Sequence, residues 1–239
     1  MIKELTDLLM PRHCLVCGAQ LGRWERHICL PCAASLPLTY YWEQVHNPMA
    51  DQINALLERT RPEGFRMAYV QAAALLFYHH ENPYKLIPQA IKYKGDTRAG
   101  EWFGALLGEK LRAQPHFADV DLVAPVPLHW LRQWERGYNQ AAVLSAAIAR
   151  SLGAAHAPQL LARRRRTRSQ TRLSASEREK NVATVFRIKK APRELPRHIL
   201  LVDDTFTTGA TLAACYRVVR EVLGPGVRIS VATLAAVHA

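Results

Sequence analysis

Apolar residues fall along this chain in two kinds of run: short blocks that suit buried strands and longer stretches of 3.6 period that suit helices. Residues 69–78 are apolar and aromatic enough for a strand. A helical pattern then runs from Pro83 through Leu86, Ile87, Ala90 and Ile91 into Lys92-Tyr-Lys-Gly-Asp96. A second helix, about residues 97–112, carries Trp102, Leu106, Leu107 and Leu111 on one face. Residues 121–125 read as a short buried strand, and a helix opened by Glu135-Arg136-Gly137-Tyr-Asn139-Gln140 extends to about Ser151. Further strands are predicted at residues 159–163, 182–188, 199–202 and 228–236. Strands alternating with helices predict an α/β fold, a doubly wound and mostly parallel sheet. Ligands of such sheets sit beyond the carboxyl ends of the strands.

One strand end is chemically distinct. The apolar run Ile199 to Val202 leads into Asp203-Asp204-Thr-Phe-Thr207-Thr208-Gly209-Ala210-Thr211, and a helical pattern follows with Leu212, Tyr216, Val219 and Leu223. The first turn of a helix has unpaired N–H groups and a partial positive charge, so an anion settles there. Gly209 lets the backbone approach a phosphate, and the Thr208 and Thr211 hydroxyls can donate to it. Asp203 and Asp204 would repel a phosphate placed on them. A sugar diol suits them, because an ionised carboxylate only accepts hydrogen bonds and a diol offers two donors. The ligand this stretch asks for is a sugar 5-phosphate.

Composition adds two things. At 239 residues, 49% apolar and 22% charged, the chain is an ordinary globular protein of one or two domains. No apolar run approaches the roughly 18 residues of a membrane span. Residues 1–9 lack a signal-peptide core and read as a short amphipathic helix, so a cytoplasmic protein is expected. A formal charge of +12 favours polyanionic partners, phosphorylated substrates or nucleic acid.

The N-terminal region carries separate chemistry. Cys14-Leu-Val-Cys17-Gly18 and Cys29-Leu-Pro-Cys32 are two C-x-x-C knuckles eleven residues apart. Four thiolates so spaced make a closed tetrahedral Zn²⁺ site of structural type. His13 and His27 are expected to be solvated, and Cys215, at apolar spacing on the last helix, to be core. Residues 33–68 read as a connector with a helical pattern from Met49 to Arg59, packed on the zinc ribbon. Trp24 and the Tyr40-Tyr41-Trp42 cluster suit interdomain packing better than base stacking. The expected organisation is a four-cysteine zinc module with connector over residues 1–60 and the α/β domain over 61–239.

The stretch Val202-Asp-Asp-Thr-Phe-Thr-Thr-Gly-Ala-Thr211 resembles the phosphoribosyl-pyrophosphate (PRPP) loop of type I phosphoribosyltransferases. Other motifs narrow the likeness: Ile91-Lys-Tyr-Lys-Gly-Asp96, Pro125-Val-Pro127-Leu128-His129, Arg136-Gly-Tyr-Asn-Gln140, Gln170-x-x-Leu173 and Arg178-x-x-Asn181. In that order, behind a C-x-x-C module, they make the chain similar to the competence protein F (ComF/GntX-like) family. The resemblance implies a type I phosphoribosyltransferase-like fold and a link to natural transformation and use of external DNA. It implies PRPP with Mg²⁺ as ligand, with Asp203, Asp204 and Arg136 at the reacting centre. Thr207, Thr208, Gly209, Ala210 and Thr211 would hold the 5-phosphate; Pro127, Leu128, His129 and Arg136 would hold the pyrophosphate. The basic stretch with Arg164, Arg165, Arg166, Arg168, Gln170 and Arg178 corresponds to a mobile flap that closes over the pyrophosphate. A solvated surface and a contact for single-stranded DNA are the rival readings of that stretch. A capping box at Ser174-Ala-Ser-Glu177 starts a short helix there. Thr207 stands where several purine-using relatives have an aspartate, which removes the obvious general base. Two readings follow: a phosphoribosyltransferase with an unidentified acceptor, or a non-catalytic accessory protein that handles single-stranded DNA beside competence-machinery proteins.

Overall fold

The computed structural model describes residues 11–61, 67–128, 134–163 and 185–237. The expected N-terminal helix, His129 and the basic stretch with its capping box lie outside the described residues.

Five strands form the main sheet in the order β1-β7-β6-β2-β3: β1 Ala72–Tyr78, β7 Arg228–Val237, β6 His198–Phe206, β2 Leu122–Pro125 and β3 Ala155–His156. Every pairing in it is parallel. Parallel sheets are covered on both faces, which is why these strands read as continuous apolar runs. The described α-helices are α1 Leu30–Ala34, α2 Pro48–Glu58, α3 Leu86–Tyr93, α4 Thr97–Arg112, α5 Gln140–Leu152 and α6 Ala210–Leu223. Helices α2 and α6 pack in the core on one face of the sheet. Helices α4 and α5 and the Cys module pack in the core on the other. Among the described residues no helix is long and apolar enough to cross a membrane.

Two expectations about this region need correction. The described parts of the strands expected at residues 159–163 and 182–188 do not join the parallel sheet. Strands β4 Leu161–Arg163 and β5 Phe186–Ile188 pair with each other, antiparallel, as a separate ribbon. The parallel place after α5 is already filled by β3. A parallel neighbour needs a crossover of a dozen or more residues, and only four separate β3 from β4. The basic stretch therefore connects the two strands of a ribbon.

The connector helix also packs elsewhere than expected. Met49, Ala50, Ile53 and Leu57 of α2 are buried in the core of the sheet, not on the Cys module. The connector covers an edge. Asn47 caps α2 by accepting from the Ala50 N–H at 2.9 Å and donates to the Ala72 carbonyl at 3.0 Å. Asn54 accepts from the Val70 N–H and donates to its carbonyl, both at 2.9 Å. With the Thr39 N–H on Leu75 O and the Phe77 N–H on Pro37 O, these bonds occupy the free side of β1. An uncovered edge strand would invite pairing with another chain.

Helices α4 and α5 approach closely because Gly100, Gly104 and Gly108 line the contact. A Cβ at Gly108 would lie 2.6 Å from Ser151 Cβ. Gly108→Ala gains about 1 kcal/mol of helix propensity, against an overpacking cost of roughly 1–3 kcal/mol. A net loss of about 1 kcal/mol is expected, read as a melting temperature lower by about 2–4 °C. An unchanged or raised melting point would show that the helices slide apart freely.

Candidate functional site

The loop from Asp203 to Thr211 begins where β6 outruns its neighbour. Strand β6 does not stop at Val202, as its apolar run predicts, but continues to Phe206. The long apolar β7 holds it in register through Asp203↔Thr233, Thr205↔Ala235 and Phe206↔Ala236. On the opposite side β2 ends at Pro125, paired with Val202. Asp203, Asp204 and Thr205 thus extend past the end of β2, at the carboxyl end of the sheet.

Gly209 turns this strand into α6. Its φ of +75° is a conformation that side-chain-bearing residues rarely adopt. A Cβ there would also lie 2.9 Å from the Phe206 ring and 3.2 Å from Leu56 Cδ1. The glycine is thus demanded by the turn and by packing behind the loop, where the sequence suggested close approach of a phosphate. No side chain caps α6 at its N-cap residue, Gly209. The first backbone bond of the helix runs from the Ala213 N–H to the Gly209 carbonyl at 2.9 Å, and the Ala210 N–H donates to the Thr208 hydroxyl at 3.5 Å, so the Thr211 and Leu212 N–H groups are the first-turn donors left to a ligand. Thr207, Thr208, Ala210 and Thr211 are exposed around them, and the loop encloses a hollow of about 30 Å³ with Asp203 on its wall. Gln52 of α2 donates to the Thr208 carbonyl at 3.5 Å, so the connector braces this loop.

Asp203 and Asp204 are successive strand residues and project to opposite faces. Asp203 accepts from the Asp204 N–H at 2.8 Å. Burial, and then the neighbouring Asp204 charge, push the Asp203 pKa up to about 7, against a weaker opposing effect of that N–H and Lys92. Asp204 meets Lys92, whose Nζ lies 3.2 Å from both of its carboxylate oxygens. Sequence reading missed this role of Lys92. The residue lay in view within the Ile91–Asp96 motif, but 112 positions separate it from its partner.

The Arg136 motif folds against the same lysine segment. Arg136 lies over the Tyr93 ring at 5.3 Å and donates to Gln140 Oε1 at 3.3 Å. Tyr138 donates to the Ile91 carbonyl, and Gln140 Nε2 to the Lys92 carbonyl at 3.5 Å. Burial raises the Tyr138 pKa, and Asp96 and Asp204 add to that effect against Arg136. Asn139 caps α5 by accepting from the Ala141 N–H at 3.1 Å, and donates to the Val126 carbonyl at 3.0 Å. It therefore ties the start of α5 to the loop after β2, which carries the half-buried Pro127 and Leu128. His129, Arg164, Arg165, Arg166, Arg168, Gln170 and Arg178 lie outside the described residues.

The four module cysteines converge. The sulfurs of Cys14, Cys17, Cys29 and Cys32 all lie within 4.8 Å of one another, with Cys17 and Cys29 at 3.6 Å. A tetrahedron with metal–sulfur bonds of about 2.3 Å has sulfurs ~3.8 Å apart, so four thiolates here fit Zn²⁺. Burial works against the Cys14 thiolate, but the N–H groups of Cys17, Cys29 and Val16 outweigh it and bring its pKa down to about 6. Burial and the adjacent thiols push Cys32 up, as four crowded sulfurs must do without a cation among them. The first knuckle turns through Gly18, with φ of +72°. The second runs directly into α1, so Ala33 needs no such conformation.

Val16, Leu21 and Ile28 fasten the module to the core around Phe103 and Leu107. Tyr84 adds a hydrogen bond to the Cys32 carbonyl at 2.9 Å. His13 is exposed as expected, whereas His27 is half-buried beside the Trp102 ring. Tyr41 and Trp42 are buried and Cys215 is core, while Tyr40 and Trp24 remain exposed.

No family model matches the chain. Competence protein F of Haemophilus influenzae is 32% identical over 147 residues, 60% of this chain and 64% of that protein. DNA utilization protein YhgH of Escherichia coli K12 is 38% identical over 96 residues, 39% of this chain and 40% of that protein. The chain thus matches less than two thirds of the length of either relative. Competence protein ComFC of Bacillus subtilis is 27% identical over 211 residues, covering 87% of this chain and 78% of that one. Among solved structures, orotate phosphoribosyltransferase from Aeropyrum pernix aligns with 77% of this chain and 80% of its own, at 16% identity and a TM-score of 0.35. Leishmania donovani UMP synthase aligns with 80% of this chain and 32% of its own, at 13% identity and a TM-score of 0.33. At such scores the structural likeness carries no argument.

Proposed function

We propose that this chain, a homologue of competence protein F and ComFC, binds PRPP with Mg²⁺ and transfers its phosphoribosyl group to an acceptor in the use of external DNA. The observation that supports this most is the head of α6. A helix start whose Thr211 and Leu212 N–H groups carry no backbone partner, turned by a glycine in a conformation other residues rarely adopt, lies one strand end away from two carboxylates. In this reading the first-turn N–H groups and the hydroxyls of Thr207, Thr208 and Thr211 hold the 5-phosphate, with the Gly209 and Ala210 backbone. Asp203 and Asp204 accept from the ribose hydroxyls across the open end of β6. Lys92 and Arg136 face the pyrophosphate with the Pro127–Leu128–His129 loop, and the basic stretch closes over it. A guanidinium suits that anion because it pairs bidentately with phosphate oxygens. Mg²⁺ would come with the pyrophosphate, keep several of its waters and offset the ligand's charge.

The transfer breaks the C1–oxygen bond of PRPP. The bonding pair leaves with pyrophosphate, and a lone pair of the acceptor forms the new bond at C1. Lys92 and Arg136 lower the barrier by stabilising negative charge as it builds on the leaving group. Thr207 cannot take the acceptor's proton as a carboxylate would, so the proposed acceptor is one that reacts without a base from this loop. A cytoplasmic site of action and contacts with competence-machinery proteins belong to the same proposal. The second reading, a non-catalytic protein that holds single-stranded DNA, draws on the names of the relatives and on the +12 charge.

Calorimetric titration of Mg²⁺ and PRPP into the wild type and into Asp203→Asn/Asp204→Asn tests the first reading. Saturable binding at one site per chain is expected, weakened at least tenfold in the double variant. Absence of heat and of thermal stabilisation in the wild type would refute it.

A further inference from the structure

A second concave site lies on the opposite face of the sheet from the phosphate loop, where the Cys module meets α4 and α5. It is an open cavity of about 560 Å³ lined by Arg12, Arg26, His27, Arg98, Glu101, Trp102, Ala105 and Arg150. It shares no residue with the hollow at the head of α6. Its size falls in the range of sites that enclose a small organic ligand, roughly 300–1,000 Å³.

The wall is strongly cationic. Four guanidiniums reach it from separate elements: Arg12 and Arg26 from the module, Arg98 from the first turn of α4, and Arg150 from the last turn of α5. Arg12 is held in place by donating to the carbonyls of Glu25 at 2.7 Å and Gly22 at 3.3 Å. Among the described residues no ion pair engages Arg26, Arg98 or Arg150, and Glu101 is the one carboxylate on the lining. Like charges gathered around one hollow repel each other, and Glu101 on the lining, with Asp96 near His27 and Glu25 near Arg12, offsets only part of them. Their convergence is explained by an anion.

The aromatic surroundings say which anion. Trp102 forms part of the wall, its ring set edge-on to Phe103 with centroids 4.7 Å apart. Trp24, 88% exposed, stands on the same loop as Arg26, two residues before it, with the Arg23 guanidinium 5.5 Å from its ring centre. An exposed indole next to guanidiniums is a surface on which a nucleobase stacks, worth roughly 1–3 kcal/mol per base. Arginine forks pair bidentately with phosphate oxygens.

We propose that the cavity between the Cys module and helices α4 and α5 binds a nucleotide. Its phosphates lie on Arg26, Arg98 and Arg150, and its base lies against the indole of Trp102. The nucleotide is either free or part of a single strand, and the site is independent of the PRPP site. Zinc is coupled to it, because the metal holds the loop that carries Arg12 and Arg26.

The test uses the zinc-loaded full chain and three probes: a fluorescein-labelled dT12 oligonucleotide, ATP and inorganic pyrophosphate. Arg26→Glu/Arg98→Glu is compared with Lys190→Glu/Arg193→Glu, which changes the net charge equally on another part of the surface. At least tenfold weaker binding of dT12 or ATP is expected in the first variant and less than twofold in the second. PRPP binding should be unaltered in both, which separates this site from the one at α6. Arg150→Glu lies outside the module and should reproduce the loss even if the first variant disturbs zinc binding. Tight dT12 with weak ATP assigns the site to single strands, and the converse assigns it to free nucleotides. Equal losses in the cavity and control variants would reduce the effect to net charge and overturn the proposal. Pyrophosphate competing as well as either nucleotide would overturn it too.

Discussion

Stripping zinc from this protein is expected to unfold the N-terminal module and to lower the thermal stability of what remains. The module has little else to hold it. Among its described residues, Val16, Leu21 and Ile28 are the buried side chains other than the cysteines, and no strand or helix longer than the five-residue α1 is present. Its backbone bonds are few: Cys14 N–H to Ala19 O, Leu15 N–H to His27 O and Leu21 N–H to Arg12 O are the long ones. A structural Zn²⁺ contributes on the order of 10 kcal/mol or more in comparable modules, which far exceeds what these contacts supply. Releasing the module would uncover the Phe103 and Leu107 surface that it covers. Elemental analysis should find one zinc per chain. Incubation with a chelator should produce an earlier melting transition and proteolytic cuts within residues 11–35. Cys17→Ser, at the exposed corner of the site, should weaken metal retention without disturbing the core. Metal ligation requires thiolates, so retention should fall as pH drops. A chain purified without zinc, with melting unchanged by chelator, would remove the metal from the account.

The local parts of this fold were legible and the pairings between distant parts were not. The cysteine spacing announced the cluster because two knuckles bring their own sulfurs together whatever surrounds them. The α4 pattern and the helix after Gly209 could be read because a helix buries one face at fixed spacing. The end of β6 could not be read from its own residues. Asp203 to Phe206 remain a strand because β7 continues beside them, a fact about a segment 30 positions later. The β4–β5 ribbon escaped for a similar reason, since three-residue strands look alike in a parallel sheet or an antiparallel pair. In the connector, two asparagines substitute for a neighbouring strand along β1, and nothing in their spacing distinguishes them from surface polar residues. At the site, the acidic pair and the glycine were visible as a continuous motif. Lys92 and its ion pair required the fold.

Replacing Asp203 by asparagine is expected to stabilise the unliganded protein above neutral pH while weakening its binding of PRPP. The cause is the energy stored at the end of β6. Asp203 sits at about 7 in the folded chain because burial and the Asp204 charge disfavour its ionised form. In the unfolded chain an aspartate titrates near 3.9. Below about pH 4 the group is protonated in both states and costs nothing. Between about 4 and 7 the folded chain holds a proton that the unfolded chain has lost, so stability falls as pH rises. Above 7 the folded carboxylate is ionised in a place that resists it, and the full cost stands at about 4 kcal/mol as an upper figure. Asparagine has the same shape, can accept from the Asp204 N–H and carries no charge, so this pH dependence should vanish in the variant. Urea unfolding of both proteins from pH 5 to 8.5 isolates the difference, since every other titrating group is common to the two. The gap should widen with pH in favour of the variant. A ligand that brings cations and diol donors to the carboxylate favours its ionised form, so PRPP binding near pH 6.5 should expel a proton from the wild type. Calorimetry in buffers of different ionisation enthalpy measures that proton. Parallel stability curves for the two proteins would show that Asp203 is ionised at no cost, and the strained carboxylate would then not be part of the site. The expected opposition of stability and binding is what a functional group retained against the preference of the fold produces.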